Sequence, residues 1–310
     1  MTERVRLSPD VRAALARGGS VVAFESTIIS HGMPWPRNVE TAIAAEEIAR
    51  RAGVVPATVA VLDGTIAVGL GRAELERLAT EKDVLKLSRR DLAWALAGRR
   101  TGATTVSATM IAARAAGIDV FATGGIGGVH RGASQTGDVS ADLAELAATS
   151  VCVVSAGAKA ILDLPRTLEM LESLGVPVVG FGTSEFPAFY SRSSGLPAPL
   201  RLDSAREVAE MLKAQRDLGF PQGILVANPV PPEHEIPSAT MDGWIAAALR
   251  DMASQDVSGK AVTPFLLGRI VELSEGASLD TNVALFHNNV RLACDIAAAL
   301  ASGKAEGDRQ

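Results

Sequence analysis

The sequence predicts an α/β fold in which helices cover a mixed β-sheet and the last third of the chain is nearly all helical. Three observations carry this prediction. Short β-branched runs alternate with longer Ala- and Leu-rich segments of helical period, the pattern of a sheet covered by helices. Asp63-Gly64 sits between two alternating runs and reads as a hairpin turn, so the sheet is expected to be mixed. From 237 to 300 the apolar residues keep a helical spacing.

Taken in order, "SVVAF" at 20–24 is the first strand, and a helix follows at 39–52. "ATVAVLDG" at 57–64 and "TIAVGL" at 65–70 form the hairpin, with a helix at 72–79 and the strand "DVLKL" at 83–87. A helix at 106–116 then leads to "DVFATG" at 119–124, and a helix at 140–148 to "SVCVVSAG" at 150–157. The strands "PVVGF" at 177–181 and "GILVAN" at 223–228 flank a helix at 203–218, and another helix covers 241–253. "HNNVRLACDIAAALA" is a final amphipathic element, with residues 300–310 as a frayed tail. The proline-rich "ANPVPPEHEIP" reads as a loop off a strand end and not as a linker, so residues 1–310 are expected to form one domain.

At 310 residues the chain can bury a large core, and 47% hydrophobic with 21% charged residues is ordinary for a globular protein. The net charge of -5, the lack of long basic runs and the scarcity of aromatics argue against a nucleic-acid surface. Two distant cysteines, Cys152 and Cys294, make no disulfide framework. The charged start has no apolar signal core and no stretch has about 18 consecutive apolar residues, so a cytoplasmic protein without a membrane span is expected.

Ligands of open α/β sheets gather where strands end, so unusual residues there matter most. Glu25 follows four apolar residues, which would desolvate its carboxylate and suit it to general acid work; a cap or buried ion pair is the plainer alternative. "ATGGIGGVHRGA" sets four glycines beside Thr123, His130 and Arg131, which could hold a phosphate monoester, although the same glycines suit a tight crossing in the sheet. It is neither a dinucleotide fingerprint nor a P-loop. "TGDVSADL" offers Asp138, Ser140 and Asp142 either as helix caps or as oxygen ligands for Mg²⁺ or Mn²⁺.

Lys159 stands alone among small residues after the apolar run "VCVVSAGA". A solubilising lysine would sit among polar neighbours, whereas a desolvated amine can attack a sugar's anomeric carbon and form a Schiff base. Lys86, inside "VLKL", is similarly placed. Two amines, a carboxylate and a glycine-rich loop together point to covalent sugar-phosphate chemistry.

The motifs "FESTIISHGMPWPRN", "PATVAVLDGTIAVGL", "KLSRRDL", "GATTVSATM", "VFATGGIGGVHRGA", "DVSADLAEL", "AGAKAILDL", "VANPVP", "TPFLLGRI" and "LDTNVALFHNN" resemble, in the same order, the pseudouridine-5'-phosphate glycosidase family, which includes the indigoidine-synthesis A proteins. The resemblance spans 7 to about 300. It implies a three-layer α/β/α fold, a homotrimer, and reversible cleavage of pseudouridine 5'-phosphate to uracil and ribose 5-phosphate with Mn²⁺ as the typical metal. Carried onto matching positions, it implies Lys159 as nucleophile, Glu25 as proton donor and Asp138 as metal ligand. Lys86, Val106, Ser140, Ala141 and Asp142 match substrate contacts, and Asn282 falls on the uracil side.

A C-glycosidic bond has no leaving heteroatom to protonate, so the usual carboxylate pair is insufficient and a covalent amine is a reasonable solution. Two other readings compete: a lysine-dependent aldolase acting on another sugar phosphate, and a catalytically silent sugar-phosphate-binding protein. Lys159 with Glu25 in place argues against the second.

Overall fold

The structure is a computed structural model that describes residues 4–307 apart from 256 and 258. Its strands are β1 (Val5–Leu7), β2 (Val21–Phe24), β3 (Val55–Leu62), β4 (Thr65–Val68), β5 (Leu85–Leu87), β6 (Gly102–Thr104), β7 (Val120–Ala122), β8 (Cys152–Ser155), β9 (Val178–Phe181), β10 (Leu200–Leu202) and β11 (Ile224–Ala227). The order across the sheet is β1-β4-β3-β2-β7-β8-β11-β9-β10, with β6 also on β3 and β5 on β6. The expected mixed sheet is present.

The mixture has one source. Residues 55–58 of β3 pair in parallel with β2, whereas residues 59–62 pair antiparallel with β4, and Ala60 and Val61 also pair antiparallel with β6. From β2 through to β10 every pairing is parallel. A strand that serves neighbours on both sides must be apolar on both faces, and "PATVAVL" is buried throughout.

Helices cover the sheet on both sides. Helix Val106–Ala116 packs on β3, β4, β6 and β7 with helix Ala141–Ala148 beside it. Across the sheet, helix Ala277–Gly307 lies over β2, β7 and β8, flanked by Arg37–Arg51 and Ala205–Asp217. The central strand β7 is consequently buried at all three residues. Among the described residues no helix is long and apolar enough to cross a membrane.

Strands β1, β6 and β10 and the helices Pro9–Ala16, Leu92–Ala97 and Leu164–Ser173 add to what the sequence predicts. The three strands have three residues each; in β1 and β10 an arginine occupies the middle position, too short and too polar to show a period. The last helix continues to Gly307, past residue 300 where the frayed tail was placed, and residues 308–310 lie outside the described ones.

Cys152 on β8 and Cys294 on the last helix are both buried and unpaired. Burial pushes each thiol up to about 12. The thiolate is the reactive form, so native protein at pH 8 should show no reaction with a disulfide reagent such as DTNB, and both thiols should titrate after unfolding in guanidinium.

Candidate active site

A cleft of about 490 Å³ opens beyond the ends of β2, β5, β6, β7 and β8. Glu25, Lys86, Val106, His130, Asp138, Ser140, Ala141, Asp142, Lys159 and Asn282 all line it. Residues scattered over more than 250 positions therefore meet at one place.

Lys159 follows an extension of β8 that pairs with an extension of β7. Ala156 N–H donates to Gly124 O (2.8 Å), Ile126 N–H to Gly157 O (3.0 Å) and Lys159 N–H to Ile126 O (3.1 Å). This main-chain ladder carries the side chain into the cleft, where Nζ donates to the Gly125 carbonyl at 2.6 Å.

Glu25 is buried, with 7% of its surface exposed, and both carboxylate oxygens are held. Oε2 accepts from the Thr27 hydroxyl at 2.6 Å and Oε1 from the hydroxyl of Thr123. Thr123 itself is fully buried and does not line the cleft, so its hydroxyl orients Glu25 and is not offered to a phosphate.

Of the two readings left open for the glycine-rich segment, four of its N–H donors bear on the anion loop. Ile126 N–H bonds Gly157 O, Gly127 N–H bonds Asp142 Oδ2 (2.8 Å), Val129 N–H bonds Thr167 Oγ1 (3.0 Å) and His130 N–H bonds Asp138 O (3.0 Å). These donors are therefore satisfied within the protein. The glycines instead permit close approach: a Cβ on Gly125 would lie 2.5 Å from the Phe189 ring, and one on Gly127 would lie 2.2 Å from Ser140 Oγ. The tight-crossing alternative describes them better. Arg131 turns away from the cleft and reaches Ala160 O at 3.4 Å.

Asp142 is a clamp. Its Oδ1 accepts from Ser107 N–H (2.9 Å) in the first turn of helix Val106–Ala116, and its Oδ2 takes Gly127 N–H. It thereby ties the edge of the glycine segment to the helix start that presents Val106. Ser140 caps helix Ala141–Ala148 by accepting from Asp142 N–H (3.2 Å), which is the capping role the sequence offered first.

Asp138 differs in being accessible, its side chain 42% exposed, with His130 Nδ1 3.9 Å from Oδ2. Burial lowers the His130 pKa against the opposing charge of Asp138, and Lys159 and Lys86 lower it further. With His130 neutral, the carboxylate can meet a cation. Among the described residues no three His, Cys, Asp or Glu side chains form a metal cluster. Asp138 could hold a hard divalent ion with water or substrate oxygens in the rest of the shell, which suits Mn²⁺ or Mg²⁺.

Residues 10–299 match the family model described as indigoidine synthase A like protein. The chain belongs to this family. It is 58% identical over 298 residues to the pseudouridine-5'-phosphate glycosidase of Dinoroseobacter shibae, covering 96% of this chain and 98% of the relative. It is 57% identical over 295 residues to that of Deinococcus radiodurans, covering 95% and 94%. Among solved structures, the prealnumycin C-glycosynthase AlnA in complex with ribulose 5-phosphate superposes with a TM-score of 0.91 at 37% identity, covering 99% of this chain and all of that one. An indigoidine synthase A like protein from Thermotoga maritima gives 0.88 at 37% identity, covering 96% of each.

In this family member the cleft also contains Thr27, His31, Ser88, Arg89, Arg90, Phe189 and Thr263, which were not singled out from sequence. Arg89 is held by the buried Glu145 at 2.9 Å. His31, Arg89 and Arg90 lie inside the motifs "FESTIISHGMPWPRN" and "KLSRRDL" that carry the resemblance, so their position was available as a signal. Phe189 had none: it packs against Gly125 with φ of +64°, a conformation costing on the order of 1–3 kcal/mol for a bulky residue.

Asp142→Asn tests the clamp. The amide supplies one acceptor where two N–H groups need one each, so a donor faces a donor. The variant should lose about 1–3 kcal/mol in urea unfolding while keeping its far-UV circular dichroism.

Proposed function

We propose that this chain is a pseudouridine-5'-phosphate glycosidase that cleaves the C-glycosidic bond reversibly, giving uracil and ribose 5-phosphate through a Schiff base on Lys159. The single observation that supports it most is Lys159 Nζ in the same cleft as the buried Glu25, in a chain 55–58% identical over nearly full length to relatives bearing that name. The AlnA complex with ribulose 5-phosphate supports a pentose phosphate as the class of ligand.

In this reading the Lys159 amine attacks C1', and the C1'–O4' bond breaks with a proton passing to O4'. The nitrogen lone pair then forms the C1'=N bond as the bond to uracil C5 breaks, and C5 takes a proton. Water adds to the iminium carbon and frees ribose 5-phosphate and the amine, so one water is consumed overall. Glu25, oriented by Thr27 and Thr123, is the group placed to move protons during these steps. Lys86 and the arginines of "SRRD" supply positive charge for the phosphate, and Asn282 borders the site next to Gly124 for contact with the base.

Asp138 would hold the divalent metal, Mn²⁺ by resemblance, which supplies charge stabilisation and orientation of oxygen ligands when bound. A homotrimeric, cytoplasmic enzyme belongs to the same reading. An aldolase acting on another sugar phosphate would need the same amine, and it is separated by incubation with pseudouridine 5'-phosphate: release of free uracil decides for the glycosidase.

Lys159→Ala should lower turnover by roughly a thousandfold or more without shifting the melting temperature appreciably. Borohydride trapping with ribose 5-phosphate, read by mass spectrometry, should label the wild type at Lys159 and leave the variant unlabelled. Equal labelling of the two would refute the nucleophile assignment.

Asp138→Ala should shift the Mn²⁺ dependence of the rate at least about tenfold to higher concentration, because the other two carboxylates of the cleft, Glu25 and Asp142, have both oxygens bonded within the protein. An unchanged Mn²⁺ titration would place the metal elsewhere.

A further inference from the structure

Asn289 lies within helix Ala277–Gly307, is fully buried, and does not line the cleft. Its amide nonetheless holds the segment from which the cleft is built. Nδ2 donates to Thr123 O at 2.8 Å and to Gly124 O at 3.3 Å, and Oδ1 accepts from Asn228 Nδ2 at 3.1 Å.

This amide can face only one way. Thr123 O and Gly124 O are acceptors, so the atom turned to them has to be the nitrogen, and the oxygen is left for Asn228. Asn228 is itself fixed just past the end of β11, where its N–H donates to Ser155 O (2.8 Å) on β8. The helix and the ends of β7, β8 and β11 thus meet at one side chain.

Of the two carbonyl contacts, the one to Thr123 is the shorter, and Gly124 O already accepts Ala156 N–H at 2.8 Å. Thr123 is pinned through both halves of its main chain, its N–H to Val154 O (3.0 Å) and its carbonyl to Asn289. What this fixes is the buried hydroxyl, which donates to Glu25 Oε1. A threonine is stiff at χ1, so the direction of that hydroxyl follows the backbone that carries it.

We infer that Asn289 is a positioning residue for the reaction proposed above: through the Thr123 carbonyl it aims the Thr123 hydroxyl at Glu25, and so fixes the carboxylate that moves protons. The inference rests on the glycosidase reading and adds to it a residue outside the cleft. A plainer role for a buried asparagine is to join a helix to a sheet, in which case its loss costs stability alone. The two roles part in the kinetics of the folded enzyme.

The test is a double-mutant cycle on uracil release from pseudouridine 5'-phosphate. Asn289→Ala, Thr123→Val and the double variant are compared with wild type well below their melting temperatures. Asn289→Ala should lower kcat roughly ten- to a hundredfold and leave KM within about threefold, since a misaimed proton-transfer group slows chemistry more than binding. Thr123→Val should also be slower than wild type. In that background no hydroxyl is left to aim, so adding Asn289→Ala should change kcat by less than about twofold.

Three results would overturn the inference: wild-type kcat in Asn289→Ala with only a lowered melting temperature, Thr123→Val as fast as wild type, or an equal fall on Asn289→Ala in both backgrounds. Should Asn289→Ala not fold, Asn289→Ser goes through the same cycle with the same expected outcomes, because its hydroxyl can bond the helix carbonyl one turn back but is too short to replace the amide at Thr123 O. A wild type that releases no uracil defeats the glycosidase reading and this inference with it. An active wild type with an unimpaired Asn289→Ala defeats the inference alone.

Discussion

One buried carbonyl, Val59 O, joins the two parts of the sheet. It lies where β3 stops pairing with β2 and starts pairing with β4, and it accepts two hydroxyls, from Ser26 (2.6 Å) and from Thr104 (2.8 Å). Thr104 N–H in turn donates to Ser26 Oγ at 2.9 Å. A carbonyl has two lone pairs, and a strand changing partners in a dry core must satisfy them without a ladder. Two small hydroxyl residues do this here. Glu25 immediately precedes Ser26 and Thr105 immediately follows Thr104, so two walls of the cleft hang from one acceptor. The geometry of these two walls is then a property of the sheet and not of flexible loops.

The buried carboxylates follow one logic and Asp138 another. Glu25 is bonded to two hydroxyls, Asp142 to two backbone N–H groups, Glu145 to Thr149 and Arg89, and Glu46 to Thr58 and Arg50. Each meets the requirement that a buried charge be paired or hydrogen-bonded. The result is mechanical: Asp142 fixes the glycine segment and Glu145 fixes an arginine at the cleft. Asp138, by contrast, stays accessible beside a histidine that burial keeps neutral, which leaves its charge available to an incoming cation.

How much of this was legible in the sequence depended on how local each signal was. β3 was readable because a run that is apolar but for Thr58 ends in Asp63-Gly64, and the central strands because each is a β-branched run ending in a small or polar residue. β1, β6 and β10 were not, since "VRL", "GAT" and "LRL" become strands only through neighbours far along the chain. The residues that meet in the cleft were largely found at strand ends, where a lone lysine or carboxylate is conspicuous. Their roles were less visible. Whether Thr123 faces a ligand or Glu25, and whether a glycine N–H is free or bonded to Asp142, depends on pairings that no spacing reveals.

The small neighbours of Lys159 now have a physical cause. Residues 156–159 continue β8 alongside 124–126, which continue β7, and the two backbones approach closely enough to exchange hydrogen bonds at Gly124, Ile126 and Gly157. Phe189 covers this crossing, bonded through its N–H to Ala156 O and seated where a side chain on Gly125 would be. Larger residues at these positions would separate the two extensions and move Nζ out of the cleft. The amine is therefore positioned by main chain against main chain, and its bonded partner is a neutral carbonyl. In the reaction proposed above, a lysine anchored in that way would break no ion pair when its nitrogen bonds to carbon. The smallness that first made Lys159 conspicuous is the condition for placing it.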